Sequence, residues 1–86
     1  MKIEKKTWPE QFQAILKGKK KFDLRLDDFK AKEGDILVFK EFDPKTESYT
    51  GREVEKTISY ILKTKNIKFW SKEEIDKFGL QVFSLD

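Results

Sequence analysis

The sequence predicts one small α+β domain, a mixed and mainly antiparallel sheet with an N-terminal helix and a short second helix. Three observations predict it. The chain has 86 residues, enough for one domain and too few for two. Apolar residues recur with a helical period after Trp8 and alternate strictly with polar ones over residues 21–27. Most of the strand-like stretches are joined by turn-forming sequence, without room for helical crossovers. A chain of this size buries only about 60–65% of the surface its unfolded form exposes, so the core must be compact. Eight Phe, two Trp and two Tyr supply much of it, since each buried aromatic removes roughly 150–250 Å² from water. The periodicity argues against disorder despite 41% charged residues.

The elements come in the order β-α-β-β-β-α-β. Residues 2–6 read as a short edge strand. Thr7-Trp8-Pro9-Glu10 reads as a helix start, with Thr7 as cap, Glu10 completing a capping box and Pro9 in the first turn, where it forfeits no hydrogen bond. Phe12, Ile15 and Leu16 form the apolar stripe. Lys17 suits the C-terminal end of the dipole and Gly18 the left-handed residue that ends the helix. Over residues 21–27, Phe22, Leu24 and Leu26 are expected to face the core, opposite Lys21, Asp23, Arg25 and Asp27. Residues 28–32 read as a loop anchored by Phe29, and Glu33-Gly34-Asp35 as a turn. Residues 35–42 form the strand expected to be most buried. A polar hairpin connection over 43–51 leads into a long strand over 52–62, in which Val54, Ile58, Tyr60 and Leu62 share a face interrupted by Lys56. Residues 64–70 carry no clear pattern. Ser71-Lys72-Glu73-Glu74 opens a short helix through Phe78 with a second capping box, Gly79 ends it, and residues 81–85 read as a terminal strand.

Composition excludes much chemistry. With no Cys and no His, disulfides, thiolate zinc sites, Ser-His-Asp triads and His-ligated metals are out. No Asp/Glu spacing resembles a calcium loop. No apolar run approaches the roughly 20 residues of a membrane helix, and the N-terminal residues lack an apolar signal core. The expectation is a soluble cytoplasmic protein without cofactor, metal or membrane partner; its oligomeric state is open, with a monomer favoured. Net charge is only +3, but Lys17, Lys19, Lys20 and Lys21 cluster near Arg25, and Lys63, Lys65 and Lys68 form a second group. Such clusters can meet phosphates even when total charge is modest.

Gly18-Lys19-Lys20-Lys21-Phe22-Asp23-Leu24-Arg25 resembles the ASCH signature Gly-x-Lys-x-x-Glu-x-Arg, with Asp23 in place of the usual Glu. Trp8-Pro9-Glu10-x-Phe12, Gly34-Asp35-Ile36-Leu37, Asp43-Pro44, Tyr49-Thr50-Gly51-Arg52, Ser59-Tyr60-Ile61 and Gly79-x-x-Val82-Phe83-Ser84-Leu85 look like a small phage and bacterial branch of that superfamily, one catalogued only as a domain of unknown function. That branch often carries a His in its first strand; here the stretch is Ile3-Glu4-Lys5-Lys6. The resemblance implies a PUA-like β-barrel with a cleft beside the signature and, as function, an RNA- or nucleotide-binding module. It also implies an alternative, an amidohydrolase acting on acetylated cytidine, in which the signature Lys works with a Thr where this chain has Asp23. A phage-type protein-interaction domain is a third reading.

The candidate ligand residues are Lys20, Asp23 and Arg25, with Lys19, Lys21, Trp8, Tyr49 and Arg52. Lys20 would pair with a phosphate or a base oxygen, and in the enzyme reading would act as base with Asp23 as partner. Arg25 would give planar bidentate recognition, oriented by Asp23; a purely structural ion pair is the competing reading. Trp8 would stack a base or pack over the helix start. Tyr49 and Arg52 flank a hairpin that would form the rim, or simply be solvated. For Trp70 packing in the core or at its rim is expected. Glu53 and Glu55 are expected to face solvent.

Overall fold

A computed structural model describes residues 1–66, 68–81 and 83. Strand β1, Lys2–Thr7, is succeeded by helix α1, Pro9–Leu16, then strands β2, Ile36–Asp43, and β3, Ser48–Thr57. A 3₁₀ turn over Thr64–Asn66 and helix α2, Lys72–Phe78, complete the described elements. The sheet is three-stranded in the order β1-β2-β3, with β1 parallel and β3 antiparallel to the central β2. The described residues thus form a small α+β structure with a mixed, open sheet and two helices.

β2 is the most buried strand, as its apolar sequence demands. Phe39 packs with Phe12 and Ile15 of α1, and Leu37 and Val54 close around them. This fixes the two faces of the sheet. Residues in register with Phe39 and Glu41, namely Lys5 and Thr7, face α1. Lys6, Lys40 and Phe42 lie on the other side by strand alternation. That outer face carries buried Val38 at its centre, covered by the charge pairs Lys2–Glu55 and Lys40–Glu4, each at 3.1 Å.

The first helix starts one residue later than the capping box required. Thr7 remains in β1 because it continues the ladder opposite Glu41. Its hydroxyl donates to the Lys5 carbonyl rather than capping the helix. Trp8 is the N-cap, extended and without a side-chain cap. The C-terminal end is as expected. Gly18 has φ +76°, and the Gly18 and Lys19 N–H groups donate to the carbonyls of Ile15 and Ala14, the two bonds of a Schellman motif. The stripe is narrower than expected, with Phe12 and Ile15 buried and Leu16 exposed.

Residues 21–27 do not form the strand that their alternation predicts, and their orientation is reversed. Asp23 and Arg25 are the half-buried pair, while Leu24 and Leu26 are 69% and 80% exposed. The cause is polar: Arg25 ties this segment to the end of β1, turning its charged side inward. The turn after β2 is shorter than expected, because only residues 44–47 leave the ladder and Phe42 pairs with Tyr49. Gly51, at φ +93°, lies in the register irregularity opposite Lys40 and Phe42, a place that suits glycine. β3 ends at Thr57, so Tyr60 and Leu62 are exposed rather than strand-bound. Beyond it, the Ile58 N–H donates to the Asp35 carbonyl and the Gly34 N–H to the Ile58 carbonyl. Phe29 is half-buried, with the Lys5 ammonium 3.2 Å from its ring centre. The second capping box is present in full, Ser71 with Glu74, though α2 buries no residue. Of the expected terminal strand, Gln81 and Phe83 are in no strand, and the remainder lies outside the described residues.

Candidate ligand cleft at the end of β1

After the Schellman turn the chain runs back past the start of α1, bringing Lys20 to Gln11. The Lys20 ammonium donates to the Gln11 Oε1 at 2.8 Å and stands 5.3 Å from the Phe22 ring. Further along, the guanidinium of Arg25 donates from Nε to the Asp23 carboxylate at 2.6 Å, from Nη1 to the Lys6 carbonyl at 3.4 Å and from Nη2 to the Thr7 hydroxyl at 3.3 Å. Its Cζ lies 5.8 Å from the Phe39 ring. Asp23 therefore orients Arg25, and Arg25 binds this segment to β1. An arginine has five N–H donors, so this one keeps donors for a ligand even while it holds the structure.

Lys6, Thr7, Trp8, Gln11, Lys20 and Arg25 enclose a cleft of about 380 Å³, a volume suited to a small ligand. Trp8 is 60% exposed on its wall, so it is not packed down over the helix start. Of the sequence candidates, Trp8, Lys20, Asp23 and Arg25 meet here. Lys19 and Lys21 are exposed beside it and outside its lining. Sequence reasoning misses Lys6 and Gln11. Gln11 has a usable signal, because it stands three residues after Trp8 and so shares its side of the helix. Lys6 has a weaker one: it stands two residues before Trp8 and so shares its side of an extended stretch, but it is one of several lysines there. Lys20 and Asp23 bond different partners, so the pair invoked for hydrolysis is not assembled.

Arg52 and Tyr49 lie elsewhere. Arg52 grips the Glu41 carboxylate through both oxygens, at 2.9 Å each, and Thr50 donates to the same group at 2.7 Å. The Arg52 Nη2 also reaches Gln13 at 3.3 Å, and its Cζ is 5.0 Å from the Phe12 ring. Gln11 and Gln13 are about 200° apart around a helix, so Lys20 and Arg52 occupy opposite flanks of α1. Glu41 is only 4% exposed. Arg52 and then Thr50 hold its carboxyl below the usual range, against burial, which works the other way; the same pairing raises Arg52. Asp35, also buried, is lowered chiefly by the Lys32 N–H. Tyr49 stands on the outer face, not on a loop. Trp70 is half exposed and edge-on to the exposed Phe69 at 5.8 Å, so it is not in the core. Glu53 and Glu55 are exposed, as expected.

A second, larger cleft of about 590 Å³ opens between residues 20–31 and 56–64, floored by Ile15, Leu37 and Phe39. The 2.8 Å pair of Lys63 with Asp27 joins its two walls. Among the described residues no group of acidic side chains is arranged to hold a metal ion, and no helix is long and apolar enough to cross a membrane.

The fold and cleft define a small α+β domain with a basic, aromatic-walled pocket. The chain belongs to the family described as Domain of unknown function (DUF3850), whose model matches residues 3–73. No curated protein and no solved structure matches the chain.

Proposed function

We propose that this protein is an RNA- or nucleotide-binding module of the ASCH, PUA-like type, acting in the cytoplasm. The observation that carries the reading is the exposed Trp8 indole on the wall of a cleft that also holds Lys6, Lys20 and a carboxylate-oriented Arg25. A base stacks on an indole whatever its identity, and ammonium groups beside it meet the phosphate. Gln11, tied to Lys20, offers an amide to a base edge. In this reading Asp23 is a positioning residue and Arg25 serves both structure and ligand. The barrel of that fold type would form by pairing of the segments that wall the larger cleft.

The amidohydrolase reading has less support, because Lys20 is bonded to Gln11 and Asp23 to Arg25. The test is fluorescence titration of a Trp70→Phe protein, whose remaining indole is Trp8. Mononucleotides and short RNAs should quench it, with affinity falling as salt rises, and Lys20→Ala should weaken the effect several-fold. An indole indifferent to every nucleotide tried would remove the proposal.

A further inference from the structure

The outer face of the sheet carries the charge pairs Lys2–Glu55 and Lys40–Glu4 over Val38, yet one end differs. There Phe42 and Tyr49 are register partners, their rings 5.3 Å apart and nearly perpendicular. Tyr49 is 53% exposed. The Lys6 ammonium lies 4.2 Å from the Phe42 ring centre, and the Lys40 ammonium 5.5 Å from that of Tyr49. Lys40 is already bound to Glu4. Lys6 has no carboxylate partner among the described residues. Lys6 thus links two places at the end of β1: it lines the Trp8 cleft, and its ammonium lies over the ring of Phe42, the half-buried partner of exposed Tyr49.

We infer that the ligand is a single-stranded oligonucleotide longer than one nucleotide, with one base on Trp8, the next on Tyr49 and the intervening phosphate on Lys6. This rests on the nucleotide-binding reading above and adds a second subsite to it. Alternating aromatic and cationic groups are what single-stranded nucleic acid requires, since each base offers a face and each linkage a charge. A cross-strand aromatic pair alone would stabilise the hairpin, but it does not account for a lysine that lines the cleft and sets its ammonium over the Phe42 ring.

The test compares AMP with a tetra-adenylate on the same proteins. The tetranucleotide should bind more tightly than AMP to the unaltered chain. Tyr49→Ser should weaken tetranucleotide binding about 5-fold or more while leaving AMP unchanged. Tyr49→Phe, which keeps the ring and guards against a misfolded hairpin, should restore it. Equal affinity for the two ligands, or a tetranucleotide indifferent to Tyr49→Ser, would overturn the second subsite and leave the Trp8 cleft standing. Failure of both ligands to bind, or preference for poly-glutamate over either, would overturn the subsite and the cleft reading together.

Discussion

Two carboxylate–guanidinium pairs flank α1, and they are built differently. Glu41–Arg52 belongs to the sheet: the carboxylate sits on the central strand, nearly fully buried, and is gripped through both oxygens. Asp23–Arg25 belongs to a segment without a ladder, joined through Nε alone, with its remaining bonds to β1 at 3.3–3.4 Å. The first pair satisfies a charge that the fold has buried. The second docks a loosely held segment against an exposed cleft. The difference teaches that like pairs do unlike jobs: one closes a core, and the other presents side chains to solvent.

The largest effect should come where α1 meets the sheet. Phe12→Ala should cost about 3–5 kcal/mol in urea unfolding, whereas Leu26→Ala, on the exposed segment, should stay within about 0.5 kcal/mol. Comparable losses would mean that residues 21–27 are packed after all. Next, Arg52→Met should lower the unfolding midpoint more than Arg25→Met, because it strands a buried carboxylate where the other leaves a better-solvated one. The reverse order would make the Arg25 dock the stronger.

Acid should sharpen the contrast. Glu41 and Asp35 are both held below their ordinary values. A carboxyl whose folded value is depressed adds stability that is fully present above its unfolded value, about 4.3 for Glu and 3.9 for Asp, and is lost as pH falls through the folded value. Stability should therefore decline below about pH 4–5. Glu41→Gln should flatten that decline while lowering stability at neutral pH. A decline unchanged in Glu41→Gln would remove Glu41 as its source. A small effect belongs to the surface pair across the larger cleft: Lys63→Ala should change stability by about 0.2–1 kcal/mol at most.

The parts of the fold set by local chemistry were legible in the sequence. Gly18 and the Ser71–Glu74 box act through neighbours a few residues away, and residues 36–42 announce a buried strand by their apolar run alone. What failed depended on distant partners. Residues 21–27 alternate like a strand, but Arg25 finds Thr7 and Lys6, so the polar side turns inward. Thr7 looks like a cap, but the parallel ladder with β2 retains it. At the site, Lys20, Asp23, Arg25 and Trp8 were readable from motif and position. Glu41 was not, because a buried acid on an apolar strand shows itself only once Arg52 and Thr50 are placed opposite.

The central claim is that Trp8, Lys6 and Lys20 wall a nucleotide site. A ¹⁵N-edited NMR titration of the intact chain with AMP tests it most directly. The account predicts saturable shifts in the Trp8 indole N–H and the amides of Lys6, Gln11 and Lys20, with the Arg52–Gln13 flank unmoved. Shifts confined to that opposite flank, or none at millimolar AMP in low salt, would contradict it.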